Sequence, residues 1–288
     1  MTSKTYISSS CFKLRKIDEL LKHCQDNNWF KVELSGNLAF DEKTAEKLFK
    51  KKEFSFLVHN YFSALKQPLV LNLASSDQQI REKSIQHCQK AIKLSSDLKA
   101  PFYSVHAGFL MDVRPEDLGK KQSHLPFIDR EKGFQLFKES IKELLDFMTK
   151  EKIDDLKLLI ENNVNSQENL VNGENKLYLL ADLIETRRFF DEINNSRLGL
   201  LVDLGHLNVS GKQLGFDKHE FIETLKDKIK AFHLSENNGA EDQALAFSKT
   251  AWFIPLLKQP EFKEMVKIIE INKTNSDEDL LKCVKVVN

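Results

Sequence analysis

The runs SVHAG (104–108), LLIEN (158–162), LLVDLGH (200–206), AFHLS (231–235) and IIEIN (268–272) decide the fold. Each is an apolar stretch that ends on a side chain able to ligate a metal: His106, Glu161, Asp203 followed by His206, His233 and Glu270. A β-strand that presents such a side chain at its C-terminal end and then turns into a polar loop is the repeating unit of a (β/α)8 barrel, whose chemistry gathers at one rim. The expectation is an α/β fold with a metal at that rim.

Working outward, helical and strand periods alternate along the chain. Leu14, Ile17, Leu20, Leu21 and Cys24 keep helical spacing and precede KVELS, a strand ending near Glu33 and Ser35. Asp41 is placed to cap a lysine-rich helix reaching about Lys52, and FSFLVH then gives a strand ending on His59. Ser76 with Gln79 reads as a capping box for a helix carrying Ile80, Ser84, Cys88, Ala91 and Ser95 on one face. Phe134, Phe137, Ile141, Leu144, Leu145 and Met148 mark the helix before LKLLIEN. KLYLLADLIETRRFFDEI (176–193) reads as a helix facing the core with Leu179, Leu180, Leu183 and Ile184. Further helices are expected at 218–228, around 252–258 and from Asp277. Strands fall near 5–9, 31–35, 55–59, 102–107, 156–161, 199–204, 229–234 and 266–271, which makes eight, the number that closes a TIM barrel. LVLNL (69–73) is the one irregularity and is read as part of a loop. No composition break suggests a linker, so residues 1–288 are expected to form a single domain.

Bulk properties narrow the function. At 288 residues and 41% hydrophobic, the chain can fill one large barrel core. No apolar run approaches the roughly 20 residues of a membrane helix, and MTSKTYISSS lacks the order of a secretion signal, so a cytoplasmic protein with no membrane partner is expected. Cys11, Cys24, Cys88 and Cys283 have neither metal-site nor disulfide spacing and read as buried free thiols. Lys plus Arg (43) equals Asp plus Glu (43), which removes the positive field that collects nucleic acid. With only 10 glycines there is no phosphate-cradling Gly-rich loop. His23, His87 and His219 fall in helix patterns and His124 in a loop; all four read as structural.

From His59 to Glu270 the chain resembles the xylose-isomerase-like barrels, which include endonuclease IV and sugar isomerases and epimerases. The most specific stretch is VLNLASSDQQIREKSI (70–85), followed in order by SVHAG, IENN, VDLGH, FHLSENN and IIEIN. The resemblance implies a central metal site of Glu161, Asp203, His233 and Glu270, with His206 a second-metal ligand or substrate contact. On the endonuclease side, His59, His106 and Asp242 match further ligands, but Ala244 stands where the histidine partner of Asp242 belongs. On the epimerase side, Glu236 and Asn238 match sugar-holding positions, but Gly239 replaces an arginine.

The donor types support a metal independently of the resemblance. Carboxylates and imidazoles suit Mn²⁺, Zn²⁺, Mg²⁺ or Co²⁺ and not a soft copper site. A lone strand-end His or Glu most often satisfies backbone or pairs with a cation, but four on consecutive strands would need cations beside them in sequence, and none is there. The favoured function is a metal-dependent sugar or sugar-phosphate isomerase or epimerase. In it Glu161 and Glu270 exchange a carbon-bound proton through an enediolate, Asp203 and His233 hold the ion, and His106, His206, Glu236 and Asn238 orient hydroxyls of a carbohydrate substrate. The alternatives are an endonuclease IV-like phosphodiesterase using His59, His106 and His206 to complete a metal cluster, and a noncatalytic metabolite binder.

Overall fold

The computed structural model describes residues 4–66, 69–117 and 120–288. Its eight strands run in parallel and close a barrel in chain order: β1 (Thr5–Ser8), β2 (Lys31–Leu34), β3 (Ser55–His59), β4 (Phe102–His106), β5 (Lys157–Glu161), β6 (Leu198–Asp203), β7 (Ile229–Leu234) and β8 (Val266–Ile269). Closure comes from β1 beside β8, with Tyr6 opposite Ile268. Every residue of β6 is buried, because one face fills the barrel and the other lies under helices. All eight expected strands are present, with ends shifted by two residues at most.

The helices are α1 (Ile17–Asp26), α2 (Thr44–Phe49), α3 (Gln78–Asp97), α4 (Arg130–Lys150), α5 (Leu183–Ile193), α6 (Leu204–Leu214), α7 (Lys218–Leu225), α8 (Ile254–Leu257), α9 (Pro260–Lys263) and α10 (Asp277–Val287). They bury apolar faces against the outside of the barrel; Phe137 of α4 stacks on Phe189 of α5 with ring centroids 5.1 Å apart. None of the described helices is long and apolar enough to cross a membrane. The four cysteines are buried and free, as expected.

Several local expectations change. The segment 176–182 is a loop and not the first half of a helix: Leu180 has φ of 52°, a left-handed conformation that breaks a helix, and Asp182 caps α5 by accepting from the Glu185 N–H. Leu179 and Leu180 are buried as expected, but from irregular chain, and Ile184 is 82% exposed. The cap of α3 is Asp77, whose carboxylate accepts from the N–H groups of Gln79 and Ile80, in place of the Ser76 and Gln79 box. Asp41 accepts from the Lys43 N–H, ahead of a shorter α2. Residues 69–73 contain no strand, as the loop reading expects.

Helix α6 went unread in the sequence because Gly205 and Gly211 weaken its helical signal. It starts directly after β6, and the Asp203 carboxylate accepts from the His206 N–H at 2.8 Å. Strand register then places the strand-end groups level with one another: His106 pairs with Glu161, and Asp203 with His233.

Candidate metal centre

Seven strand ends aim polar side chains into the C-terminal mouth of the barrel, and Glu161 stands at their centre with 1% of its side chain exposed. Its Oε2 lies 3.3 Å from Nε2 of His59 and 3.3 Å from Nε2 of His106. Its Oε1 lies 3.4 Å from Nδ1 of His206 and 3.5 Å from Nδ1 of His233. On the far side, Nδ1 of His233 is 2.8 Å from Oε2 of Glu270 and 3.8 Å from Oδ2 of Asp203. Glu161, Asp203, His233 and Glu270 each offer an atom within 4.8 Å of the others' atoms, and His59, His106 and Glu161 form a second such group. These two groups share Glu161, and Glu33, His59 and His233 form a third that takes one imidazole from each.

The rings are held from behind. Nε2–H of His233 donates to Oε2 of Glu33 at 3.0 Å, which turns Nδ1 toward the other carboxylates. Nδ1 of His59 and Ser104 Oγ share a hydrogen bond of 2.9 Å, which leaves Nε2 to face Glu161. Nδ1–H of His206 donates to the Asn162 carbonyl at 3.0 Å. The Asn162 side chain also brackets the Asp203 backbone, accepting from its N–H at 2.8 Å and donating to its carbonyl at 3.2 Å. Ser10 Oγ donates to Glu270 Oε1 at 3.0 Å. Glu33, Ser104, Asn162 and Ser10 were not read as site residues. Glu33 carried the available signal, an acid within the apolar run KVEL at a strand end like the others.

The centre fits a divalent ion on structural grounds. Both carboxylate oxygens of Glu161 are buried without a hydrogen-bond partner. Such groups are costly to bury unless something of opposite charge meets them, and here they converge on common points with oxygen and imidazole donors only.

Electrostatics agree. Burial opposes ionisation of Glu161, yet His106, His233 and His59 outweigh it and hold the carboxyl well below its usual range. Burial lowers His106 to about 4, so its ring is neutral at pH 7 and able to ligate. Burial also disfavours charge on His206 and His233, but the carboxylates around them (Asp203 and Asp242 for His206; Glu33 and Glu270 for His233) raise both well above the usual imidazole value. The acids of the mouth thus draw positive charge in.

Asp242 sits 3.3 Å from Nε2 of His206, so it joins the cluster's edge. Ala244 lines the same cavity as Asp242 and supplies no donor side chain there. Glu236 and Asn238 are not brought in. Beyond His233 the chain alternates sides, so that Ser235 lines the mouth while Glu236 bridges to Leu245 and has Lys218 as its charge partner. The Asn238 side chain accepts from the N–H groups of Ala240 and Glu241 and forms a turn.

Over the centre lies a cavity of about 390 Å³ that includes Glu161, Asp203, Glu270, Ser235 and Lys273 in its lining. The described parts of the loop after β4 fold against the loop after β5. The Leu110 N–H donates to the Leu177 carbonyl at 2.8 Å, and the Leu179 N–H to that of Gly108 at 3.1 Å. Arg130 clamps the same turn, donating to the carbonyls of Asn175 and Tyr178 at 3.0 Å each and to Glu185 at 2.8 and 3.0 Å.

Residues 19–282 match the family described as xylose isomerase-like TIM barrel. A relative in Carboxydothermus hydrogenoformans, named probable endonuclease 4, is 26% identical over 269 residues, covering 88% of this chain and 80% of its own. Among solved structures, a D-tagatose 3-epimerase-like protein superposes with a TM-score of 0.70 at 21% identity, over 99% of this chain and 98% of the other. Endonuclease IV from Thermus thermophilus superposes with a TM-score of 0.60 at 14% identity, over 99% and 97%.

Proposed function

Because the chain belongs to the xylose isomerase-like TIM-barrel family, we propose that it is a metal-dependent phosphoesterase acting on a small polyhydroxylated substrate. One observation carries this reading: His59 and His106 converge on the opposite oxygen of Glu161 from His233, so the donors form two groups with a shared carboxylate. Asp203, His233, Glu270 and Glu161 would hold one divalent ion, and His59, His106 and Glu161 a second. Bound there, such ions supply Lewis-acid stabilisation of a phosphoryl group and make water acidic enough to attack.

The chain's own groups do the rest. Glu33, Ser104 and Asn162 fix the ligand rings and backbone before substrate arrives. His206, charged through its Asp203 and Asp242 neighbours and lining the cavity, is placed to give a proton to a departing oxygen. The relative named probable endonuclease 4 supports phosphoester chemistry. Polynucleotide is the weaker substrate class, since the chain's charges balance at 43 each.

Isomerase or epimerase chemistry, the first expectation from sequence, is the second reading. It draws support from Glu161 and Glu270, which flank Nδ1 of His233 at 3.5 and 2.8 Å, and from the epimerase-like fold neighbour. Weighing against it, Glu161 is ringed by four imidazoles and only 1% exposed, the surroundings of a shared ligand more than of a base that must reach a substrate carbon. Elemental analysis, phosphate release from a panel of sugar phosphates and abasic DNA, and deuterium uptake from heavy water into sugars separate the readings. Two ions per chain with phosphate release from small esters is the expected result. One ion with carbon-bound exchange and no phosphate release would transfer the assignment to the isomerase, and a chain that binds no metal would favour a noncatalytic binder.

A further inference from the structure

Away from the metal centre, the described parts of the loops after β2 and β3 enclose a separate cavity of about 400 Å³ against α3. Gly36 and Leu38 line it, while Asn37 between them lines the cavity over Glu161, so one loop partitions the two spaces. The loops are in close contact: a Cβ on Gly36 would sit 2.9 Å from that of Tyr61, and the Ala39 N–H donates to the Arg15 carbonyl at 2.7 Å. The apolar lining is partly open, with Ala64, Leu65 and Leu69 half-buried and Phe40 44% exposed. Its charge has one sign. Arg15 and Lys66 stand exposed at the rim, no carboxylate lines the cavity, and neither cation has an ion-pair partner among the described residues. On the buried side lies His87 of α3, 5% exposed, whose ring nitrogens complete no hydrogen bond although the Asn60 and Tyr61 backbone is near. Burial holds this imidazole below its usual value, so it is neutral at pH 7, with one donor and one acceptor to satisfy. Leaving both unmet inside a protein is costly.

We infer that this cavity is a second ligand site, for a small amphipathic monocarboxylate. The carboxylate meets the Arg15 guanidinium at the rim, an apolar body lies against Leu65, Leu69 and Phe40, and a hydroxyl or carbonyl group at the inner end meets His87. An unpaired guanidinium presents the fork of donors that a carboxylate accepts in two parallel hydrogen bonds. A lining with cations and no acid admits an anion and disfavours an amine. The volume is that of a small-molecule pocket, in which an apolar wall supplies contact area and a few placed polar groups fix orientation. His87 is such a group, since its ring has hydrogen bonds left to make. Nothing in this site depends on the chemistry at the Glu161 cluster.

The test is calorimetric titration of the metal-loaded and the chelator-treated protein with phenylpropanoate, para-hydroxyphenylpropanoate and phenylpropylamine. Both acids should bind in both forms of the protein, the hydroxylated one about tenfold tighter, and the amine should not bind. Arg15→Gln should weaken both acids by about tenfold or more, whereas His87→Phe, which keeps a ring in place, should weaken only the hydroxylated acid. Thermal melting confirms that the variants fold. If His87→Phe does not, Arg15→Gln at its exposed position and the comparison of the two acids decide. No binding by either acid, equal affinity of the two acids, or binding of the amine as tight as theirs would overturn the inference. So would unchanged affinity in Arg15→Gln, or binding lost when metal is removed, which would seat the carboxylate at the Glu161 cluster instead. Phosphate release is measured separately, so failure here leaves the phosphoesterase reading standing, and failure there leaves this site assigned.

Discussion

Glu161→Gln is the sharpest test of the shared-ligand arrangement. The substitution keeps the shape of a side chain that is 1% exposed, so packing is retained, and thermal melting checks the cost of leaving the surrounding imidazoles without its charge. What it takes away is the negative charge and one of the two oxygens, which face His59 and His106 at 3.3 Å each and His233 at 3.5 Å. An amide presents a hydrogen-bond donor to at least one of those sides, where a cation's ligand is required. Loss of a group behind a ligand costs about 10–100-fold in metal affinity; loss of a direct ligand should reach at least the upper end, about 2.8 kcal/mol at 1.4 kcal/mol per tenfold. Both ions pay that cost at once. After gel filtration in metal-free buffer, elemental analysis should therefore find two ions in the natural chain and none in Glu161→Gln, whereas His59→Ala should lose one and keep the other. Calorimetric titration of the stripped proteins gives the affinities. Glu161→Gln that retains both ions at unchanged affinity, or His59→Ala that sheds both, would refute the division into two groups joined at Glu161.

Glu33→Gln should weaken the ion held by His233 by about 10–100-fold in calorimetric titration, since a neutral amide oxygen accepts the 3.0 Å bond from Nε2–H more weakly than the carboxylate does; an unchanged affinity would remove Glu33 from the site. Gly205→Ala should cost roughly 1–3 kcal/mol and loosen metal binding, because its Cβ would sit 2.5 Å from Ser235 Oγ and 3.1 Å from Asp203 Oδ1; a melting temperature and metal affinity equal to the natural chain's would count against that packing. Stability should also depend on pH in opposite ways with and without metal. Burial, then the Glu161 and Asp242 charges, raise Asp203 from 3.8 to about 7, and Glu33 and Glu270 raise His233 above 6.5 against the effect of its burial. Both folded values exceed the ordinary ones, so the stability they confer is complete below those ordinary values and is lost as pH rises through the folded ones. Chelator-treated protein should accordingly melt lower at pH 8 than at pH 6, and excess divalent ion should flatten or reverse the trend, because metal and protons compete for the same atoms. Equal pH slopes in the two conditions would contradict a cation site.

The barrel was legible because its strands are short apolar runs closed by polar loops, a pattern that survives without knowledge of contacts. The same pattern located His106, Glu161, Asp203, His206, His233 and Glu270, since a strand end fixes both the height and the inward direction of a side chain. Loop residues carry no such rule. Glu236 and Asn238 had the right spacing after His233, but the chain had left the strand by then, and its alternation and turn chemistry sent one toward Lys218 and the other into a backbone cap. The supporting groups were hidden for another reason. Ser104 lies within β4 and Asn162 just past the end of β5, and polar residues there read as ordinary until the neighbouring strand shows that one backs the His59 ring and the other brackets the Asp203 backbone.

Register also explains why Glu161, and not one of the other carboxylates, occupies the junction. His106 stands directly beside it on β4, and His59 lies one strand further, next to Ser104 in the β3 and β4 ladder. On the other side, β6 and β7 bring Asp203 and His233 level with each other. A side chain at the end of β5 thus has two imidazoles to one side and a carboxylate with an imidazole to the other, while Glu270 on the far side meets the His233 imidazole at 2.8 Å and the Ser10 hydroxyl at 3.0 Å. The longer Glu side chain at this position reaches the axis, where Asp203 is held back because one of its oxygens caps α6. The donor types set which ions can bind, and the position of Glu161 in the ladder sets that there are two groups to hold them.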